Sequence, residues 1–244
     1  MTAKCRSLAL LCASCLTAVP LLARSEVGAA VTVTSDYDYR GVTQSANRPA
    51  LQLEADYAAG PVHAEVWTSN VQFGADPGAY DAGHTEVAYS ADLTFNREGW
   101  LRYNFGINLA TYPGLSPGCN YAELWATASH GSLSASMHYA WDYCDVQPRL
   151  SAYYGELNGS WPLPDKHFAV VAHAGTSWGP YWTDANAGAY LDYVLGVSGN
   201  WGRITALAEG VNTHGYQSIS RWSPFCGRAK LLVSVSVALS SAAD

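Results

Sequence analysis

Polar and apolar side chains alternate along this chain in short runs separated by turn residues. Thr32, Thr34, Asp36, Asp38 and Arg40 interleave with Val31, Val33, Tyr37 and Tyr39. A period of two sends successive side chains to opposite faces, so the run predicts a strand between two different environments. The same alternation sets Leu51, Leu53, Ala55 and Tyr57 against Gln52, Glu54 and Asp56, and Val87, Tyr89, Ala91, Leu93 and Phe95 against Glu86, Ser90, Asp92 and Thr94. It returns in Leu101, Tyr103, Phe105, Ile107 and Leu109 against Arg102, Asn104 and Asn108. It closes with Val233, Val235, Val237 and Leu239 against Ser234, Ser236 and Ser240.

About twelve such segments are predicted, each near the ten-residue length of a tilted membrane strand. They span 31–40, 49–59, 62–73, 84–95, 100–110, 120–129, 133–143, 149–159, 167–177, 188–198, 203–212 and 229–240. Every second connection is compact: 59–61, 96–99, 130–132, 162–166 and 200–202. Most of the others are longer, at 41–48, 74–83, 111–119, 178–187 and 213–228, with 144–148 short. Short turns on one side and long loops on the other predict an all-β, antiparallel, up-and-down transmembrane barrel with both termini in the periplasm. A secreted β-sandwich is the alternative, since it also alternates at such intervals. The uniform apolar faces bracketed by Tyr and Trp favour the barrel.

The first 30 residues do not fit this rhythm. Lys4 and Arg6 precede an apolar run from Leu8 to Leu22, which reads as an export signal cut after Ala29 or Ala30. Residues 1–30 are thus expected to be removed, leaving 31–244 as one outer-membrane domain. A lipoprotein anchor at Cys12 or Cys15 would need a Leu-like residue three positions earlier, where Ala9 and Cys12 stand. After the leader, no apolar stretch approaches the roughly 18 to 20 residues of a membrane-spanning helix.

Composition sharpens the membrane reading. Charged residues make up 14% of the 244, while Trp and Tyr number 9 and 16, a sparse charge coat with many interface-seeking aromatics. Loss of Lys4, Arg6, Arg24 and Glu26 would leave 10 basic and 19 acidic residues, a charge of −9. That balance, with no basic cluster, argues against a nucleic-acid partner. The expected partners are outer-membrane lipid and small solutes or ions.

Residues 35–44 read SDYDYRGVTQ, followed by PALQ at 49–52 and WTSN at 67–70. Together these resemble the TorF-type porin family of bacterial outer-membrane barrels. The likeness continues more loosely through Glu86, Tyr112-Pro113-Gly114, Tyr121 and Glu123, over about 100 residues, and beyond that rests on strand rhythm. It implies an outer-membrane barrel with a pore, and supplies no substrate. The chain departs from the usual barrel pattern at 240–244, where SSAAD replaces a terminal aromatic, and in its cysteines.

Three cysteines, Cys119, Cys144 and Cys226, remain after the leader, in a compartment where disulfides form. If Gly131-Ser132 is a two-residue hairpin turn, Cys119 lies opposite Cys144, and a disulfide is expected. The same register puts Tyr121, Glu123, Trp125, His138 and Asp142 on one face. The alternative is three unpaired thiols.

The inward positions carry Asp36, Asp38, Glu54, Asp56, Glu65, Glu86, Asp92, Glu123, Asp142, Asp192 and Glu209 against Arg40, Arg102, Arg203 and Lys230. All except Lys230 are the strongest candidates for lining a pore, and a pore so lined should prefer cations. The competing expectation is a salt-bridged network filling a closed barrel that binds a ligand or protein through its outer loops. Arg40 is expected either to constrict the pore or to pair with Asp38 or Glu54. G-x-S-x-G occurs around Ser116 and Ser177 without the strand-to-helix turn that gives it meaning, so no enzyme and no catalytic residue are expected. The seven histidines and the cysteines form no metal-ligand spacing, and no glycine loop suits a phosphate, so no metal and no cofactor are expected.

Overall fold

The computed structural model describes residues 25–72, 84–97, 100–114, 119–145, 147–184, 188–215 and 229–239. Among them, twelve strands close into one barrel. They are β1 (Ser25–Thr34), β4 (Ala50–Ala59), β5 (Val62–Val71), β6 (His84–Arg97), β7 (Leu101–Thr111) and β8 (Tyr121–His130). The second half comprises β9 (Leu133–Ala140), β10 (Ala152–Pro162), β11 (Phe168–Trp178), β12 (Tyr190–Trp201), β13 (Ile204–His214) and β14 (Lys230–Ala238). Successive barrel strands pair antiparallel, and β14 returns to β1, which leaves no open sheet edge. Closure excludes the sandwich.

The short connections act as turns. Gly131-Ser132 joins β8 to β9 in the expected register, with Glu123 facing Ala140 and His130 facing Leu133. Gly131 has φ +56°, which a two-residue hairpin of this kind requires of its first turn residue. The alternation also sorts the faces: Leu53, Val66, Leu93, Phe105, Ile107, Leu195 and Val235 point outward and are exposed, as a surface solvated by hydrocarbon requires. Aromatics mark both rims of this band. Tyr139, Tyr153 and Trp178 stack near the long-loop end, and Phe168 packs edge-on against Trp201 at the short-turn end.

The first strand departs from expectation. It begins at Ser25 rather than 31, and all ten of its residues pair with β4, from Ser25 opposite Ala59 to Thr34 opposite Ala50. Residues 25–30, assigned above to the leader, therefore lie in the ladder. Their small side chains, Ser-Glu-Val-Gly-Ala-Ala, carry little alternation, so the strand is faint in sequence. The clearer alternation of residues 35–40 belongs to something else. After Thr34 the chain leaves the wall and forms a separate hairpin, β2 (Asp38–Tyr39) with β3 (Val42–Thr43), which also has a period of two.

The long-loop end of the barrel is packed with apolar groups. Tyr37, Tyr112, Tyr121, Tyr143, Trp182 and Tyr190 form one buried cluster with Ala50, Val71, Ala110, Ala140 and Ala152 at the strand ends. Trp182 comes from a short helix, α1 (Pro180–Asp184), and Tyr143 from a 3-10 turn at Tyr143–Asp145. No helix among the described residues is long and apolar enough to cross a membrane.

Candidate functional site

The hairpin β2–β3 turns at Arg40-Gly41, with φ +54° and +76°, and Tyr39 pairs with Val42 across the turn. Two positive φ angles make a type I′ turn, which glycine accepts and arginine accepts at a cost of roughly 1–2 kcal/mol. The base of the segment is tied by Asp36, whose carboxylate accepts hydrogen bonds from Thr43 and Ser45. Lys230 at the start of β14 reaches both Asp36 and Asp38, the latter at 2.6 Å. Burial pushes the Asp38 carboxyl up, and the neighbouring Lys230 pulls it back. Tyr37 donates to Glu86 at 3.1 Å. Burial, then the Glu86 carboxylate, holds the Tyr37 hydroxyl well above its ordinary value, so it remains a donor.

The tip of the hairpin meets the opposite wall. Arg40 donates from Nη1 and Nη2 to the two Glu123 oxygens at 2.9 and 2.7 Å, and its guanidinium lies 4.1 Å from the centre of the Tyr154 ring. Both partners are buried, with side chains 9% and 5% exposed. Glu123 thus answers the question left open above: Arg40 pairs with neither Asp38 nor Glu54.

From Glu123 a belt of alternating acids and histidines follows the lumen across five strands. His138 Nδ1 lies 2.8 Å from Glu123 and its Nε2 3.5 Å from Glu156. His173 lies 3.7 Å from Glu156 and 2.8 Å from Asp192. The Tyr154 hydroxyl donates to Asp192 at 2.9 Å. Glu156, His173 and Tyr154 were absent from the sequence-based candidates. Their signal was present: Tyr154, Glu156 and Asn158 share one parity on β10, but only the pairing register of β8 to β12 brings them to the level of Glu123 and Asp192.

Four of the remaining candidates gather on three adjacent strands, where Asp56 faces Glu65 across the ladder and His63 lies between Asp56, at 3.9 Å, and Asp92. Glu54 and Asp56 sit on β4, Glu65 on β5, Asp92 on β6 and Glu209 on β13. Asp92 accepts from His63 at 2.9 Å and Asn104 at 3.3 Å. Asp36, Asp38 and Arg40 lie on the inner hairpin segment, not on a wall strand as expected. Asp142 lies beyond β9 and pairs with Arg149 at 3.0 Å. Arg102 and Arg203 are exposed near the short turns, away from the belt.

Between the hairpin tip and the short turns lies a cavity of about 820 Å³. Its lining mixes acids (Glu65, Glu123, Glu156, Asp192, Glu209) with hydroxyl and amide groups (Ser90, Asn108, Asn158, Ser134, Ser160, Thr205), the apolar side chains of Val171, Val194, Leu207 and Val211, and the rings of Trp125 and Tyr154. It reaches Ser132 in the β8–β9 turn, whereas Asp38, Tyr39, Arg40 and Gly41 bound it on the other side. Among the described residues, no group of three or more His, Cys, Asp or Glu is arranged to hold a metal ion.

Cys119 and Cys144 are joined as a disulfide at the long-loop rim. Ser177 of the second G-x-S-x-G lies within β11, on a strand rather than on a strand-to-helix turn. Cys226, Ser116, residues 240–244 and the apolar leader run lie outside the described residues.

Solved structures share this fold. The KdgM porin has a TM-score of 0.53 at 10% identity, covering 86% of this chain and 98% of that one. The KdgM porin in complex with disordered oligogalacturonate has 0.52 at 10%, with the same coverage. LpxR from Salmonella typhimurium has 0.47 at 8%, covering 86% and 99%. At such identity the likeness to the two KdgM porin structures concerns the fold. No curated protein matches the chain. A family model matches residues 22–238, nearly the full length, and its description is a bacterial protein of unknown function. This barrel, with its inner hairpin and acid–histidine belt, therefore belongs to the Gcw_chp family of bacterial proteins.

Proposed function

We propose that the chain is exported through an N-terminal signal to the outer membrane, where it is a porin that passes small hydrophilic solutes or ions by diffusion, with a preference for cations. The supporting observation is the luminal cavity of about 820 Å³, which carries carboxylates and other polar groups among apolar ones inside a barrel whose outer face is apolar. Twelve strands lie between eight, which side chains fill, and sixteen or more, which leave a wide channel. A lumen of this size suits small solutes. Glu65 and Glu209 face the cavity from strands four apart on the ring of twelve, and carboxylates so placed attract cations and repel anions.

The test is the conductance of the refolded mature chain in a planar bilayer with unequal KCl on the two sides. Discrete steps whose reversal potential reports cation preference are the expected result, and Glu65→Gln with Glu209→Gln should weaken that preference. Anion-selective steps would sink the cation preference alone. A second reading, a closed barrel that binds a ligand or protein through its outer loops, is favoured by the aromatic cluster across the long-loop end. An inserted but silent barrel would select it.

A further inference from the structure

The segment 35–48 crosses the lumen. It leaves the wall where β1 ends and rejoins it where β4 begins, and β1 and β4 are neighbours. Its tip reaches β8, five strands round the ring of twelve. Among the described residues, its backbone hydrogen bonds to the rest of the barrel lie near the base, from Ser35 to Val233 and from Gln72 to Gln44. At the tip, the described polar contact to the wall is made by side chains: the two-pronged Arg40–Glu123 pair, with Tyr39 and Tyr121 hydroxyls 3.2 Å apart beside it.

A strand pair tied at its base by backbone hydrogen bonds, the Lys230 ion pairs with Asp36 and Asp38 and the Tyr37–Glu86 hydrogen bond, and at its tip by one ion pair, has the construction of a strut with a latch. We propose that residues 35–48 are an internal plug held across the lumen by the Arg40–Glu123 latch, and that release of this latch opens the cavity towards the long-loop side. The proposal rests on the porin reading only for its consequence, ion flow, and not for the motion itself.

The apolar cluster supports the same assignment. Tyr37 is a member of it and Tyr39 and Val42 pack against it, so withdrawal of the hairpin removes part of the cluster in which Ala110, at the end of β7, is buried. Ala110 is 0% exposed and serves as a reporter of plug position. In a Cys226→Ser background, Ala110→Cys is labelled with a charged maleimide in detergent, where either end of the barrel is reachable. The same proteins are recorded in bilayers. Arg40→Gln and Glu123→Gln each remove the two-pronged pair, and Arg40→Lys keeps the charge but not its geometry. Heat-modifiable gel mobility confirms that each variant is a closed barrel, and only closed-barrel fractions are labelled.

Glutamine variants should label about tenfold faster or more, the response expected when a closed population loses the restraint at its tip, with Arg40→Lys between them and the parent. Faster labelling with larger or more frequent conductance steps supports both the latch and the porin. Faster labelling in silent barrels supports the latch and removes the porin reading. Unchanged labelling in barrels that conduct like the parent overturns the latch and leaves the porin reading standing. Unchanged labelling in silent barrels overturns both.

Discussion

Arg40 and Glu123 lie 83 residues apart in sequence and meet through two parallel hydrogen bonds inside the barrel. One belongs to a turn in the left-handed region, the other to a regular strand, so the pair joins the inner hairpin to the wall. It also shares Glu123 with His138, the first histidine of the luminal belt.

Removing one partner of such a buried pair should cost about 3 to 5 kcal/mol, because the remaining charge stays buried and uncompensated. Arg40→Met alone and Glu123→Leu alone are expected to lower the barrel's unfolding free energy in guanidinium titrations. The double replacement is expected to recover most of the loss. Additive losses in the double variant would show that the two side chains do not act as a unit.

Gly41→Ala should unseat the hairpin without touching a charge. A Cβ at this position would overlap Thr213 and Asp192, and φ is +76°. The expected loss is roughly 1–3 kcal/mol, with labelling of Ala110→Cys accelerated as in the latch variants. Parent-like stability and labelling would mean that the turn sits farther from β12 and β13.

The two faces of β7 offer a direct test of membrane orientation. Ile107 points outward and Asn108 lines the cavity. Ile107→Arg should cost about 2–4 kcal/mol in lipid, as an arginine near the bilayer midplane does. Asn108→Lys should leave folding nearly unchanged. Reversed sensitivities in liposome unfolding titrations would place the lipid on the wrong side.

Thiol counting tests the cysteine pair. Cys119 and Cys144 are 25 residues apart, and a bridge over such a loop typically contributes about 3 kcal/mol. The denatured, unreduced mature chain is expected to react at one thiol, Cys226, and the reduced chain at three. Three thiols before reduction would remove the bridge.

Mass spectrometry of the exported chain reads the processing site. Every β1 residue from Ser25 is laddered to β4, so the mature chain should begin no later than Ser25. A start at Ala30 or Val31 would show that the barrel forms with half of that strand missing.

The period-two pattern by itself determined the architecture. Alternation in segments such as 49–59 and 100–110 fixes which side chains face lipid, and short turns such as Gly131-Ser132 fix register, because a slip of one residue would invert both faces of a strand. The Cys119–Cys144 alignment followed from that register alone. Tertiary structure decided what the sequence left ambiguous. Residues 25–30 and 36–43 show how local pattern misleads: the first group lacks contrast yet lies in the wall, and the second has contrast yet folds inside. Strand assignment there depends on partners, β4 for one and the hairpin's own return for the other. The belt from Arg40 through Glu123, His138, Glu156 and His173 to Asp192 shows locally only as inward parity on each strand, which does not say at what level each group sits. It exists because the registers of four successive strand pairs, from β8 to β12, set side chains from separate strands at one level, and the inner hairpin brings Arg40 to it.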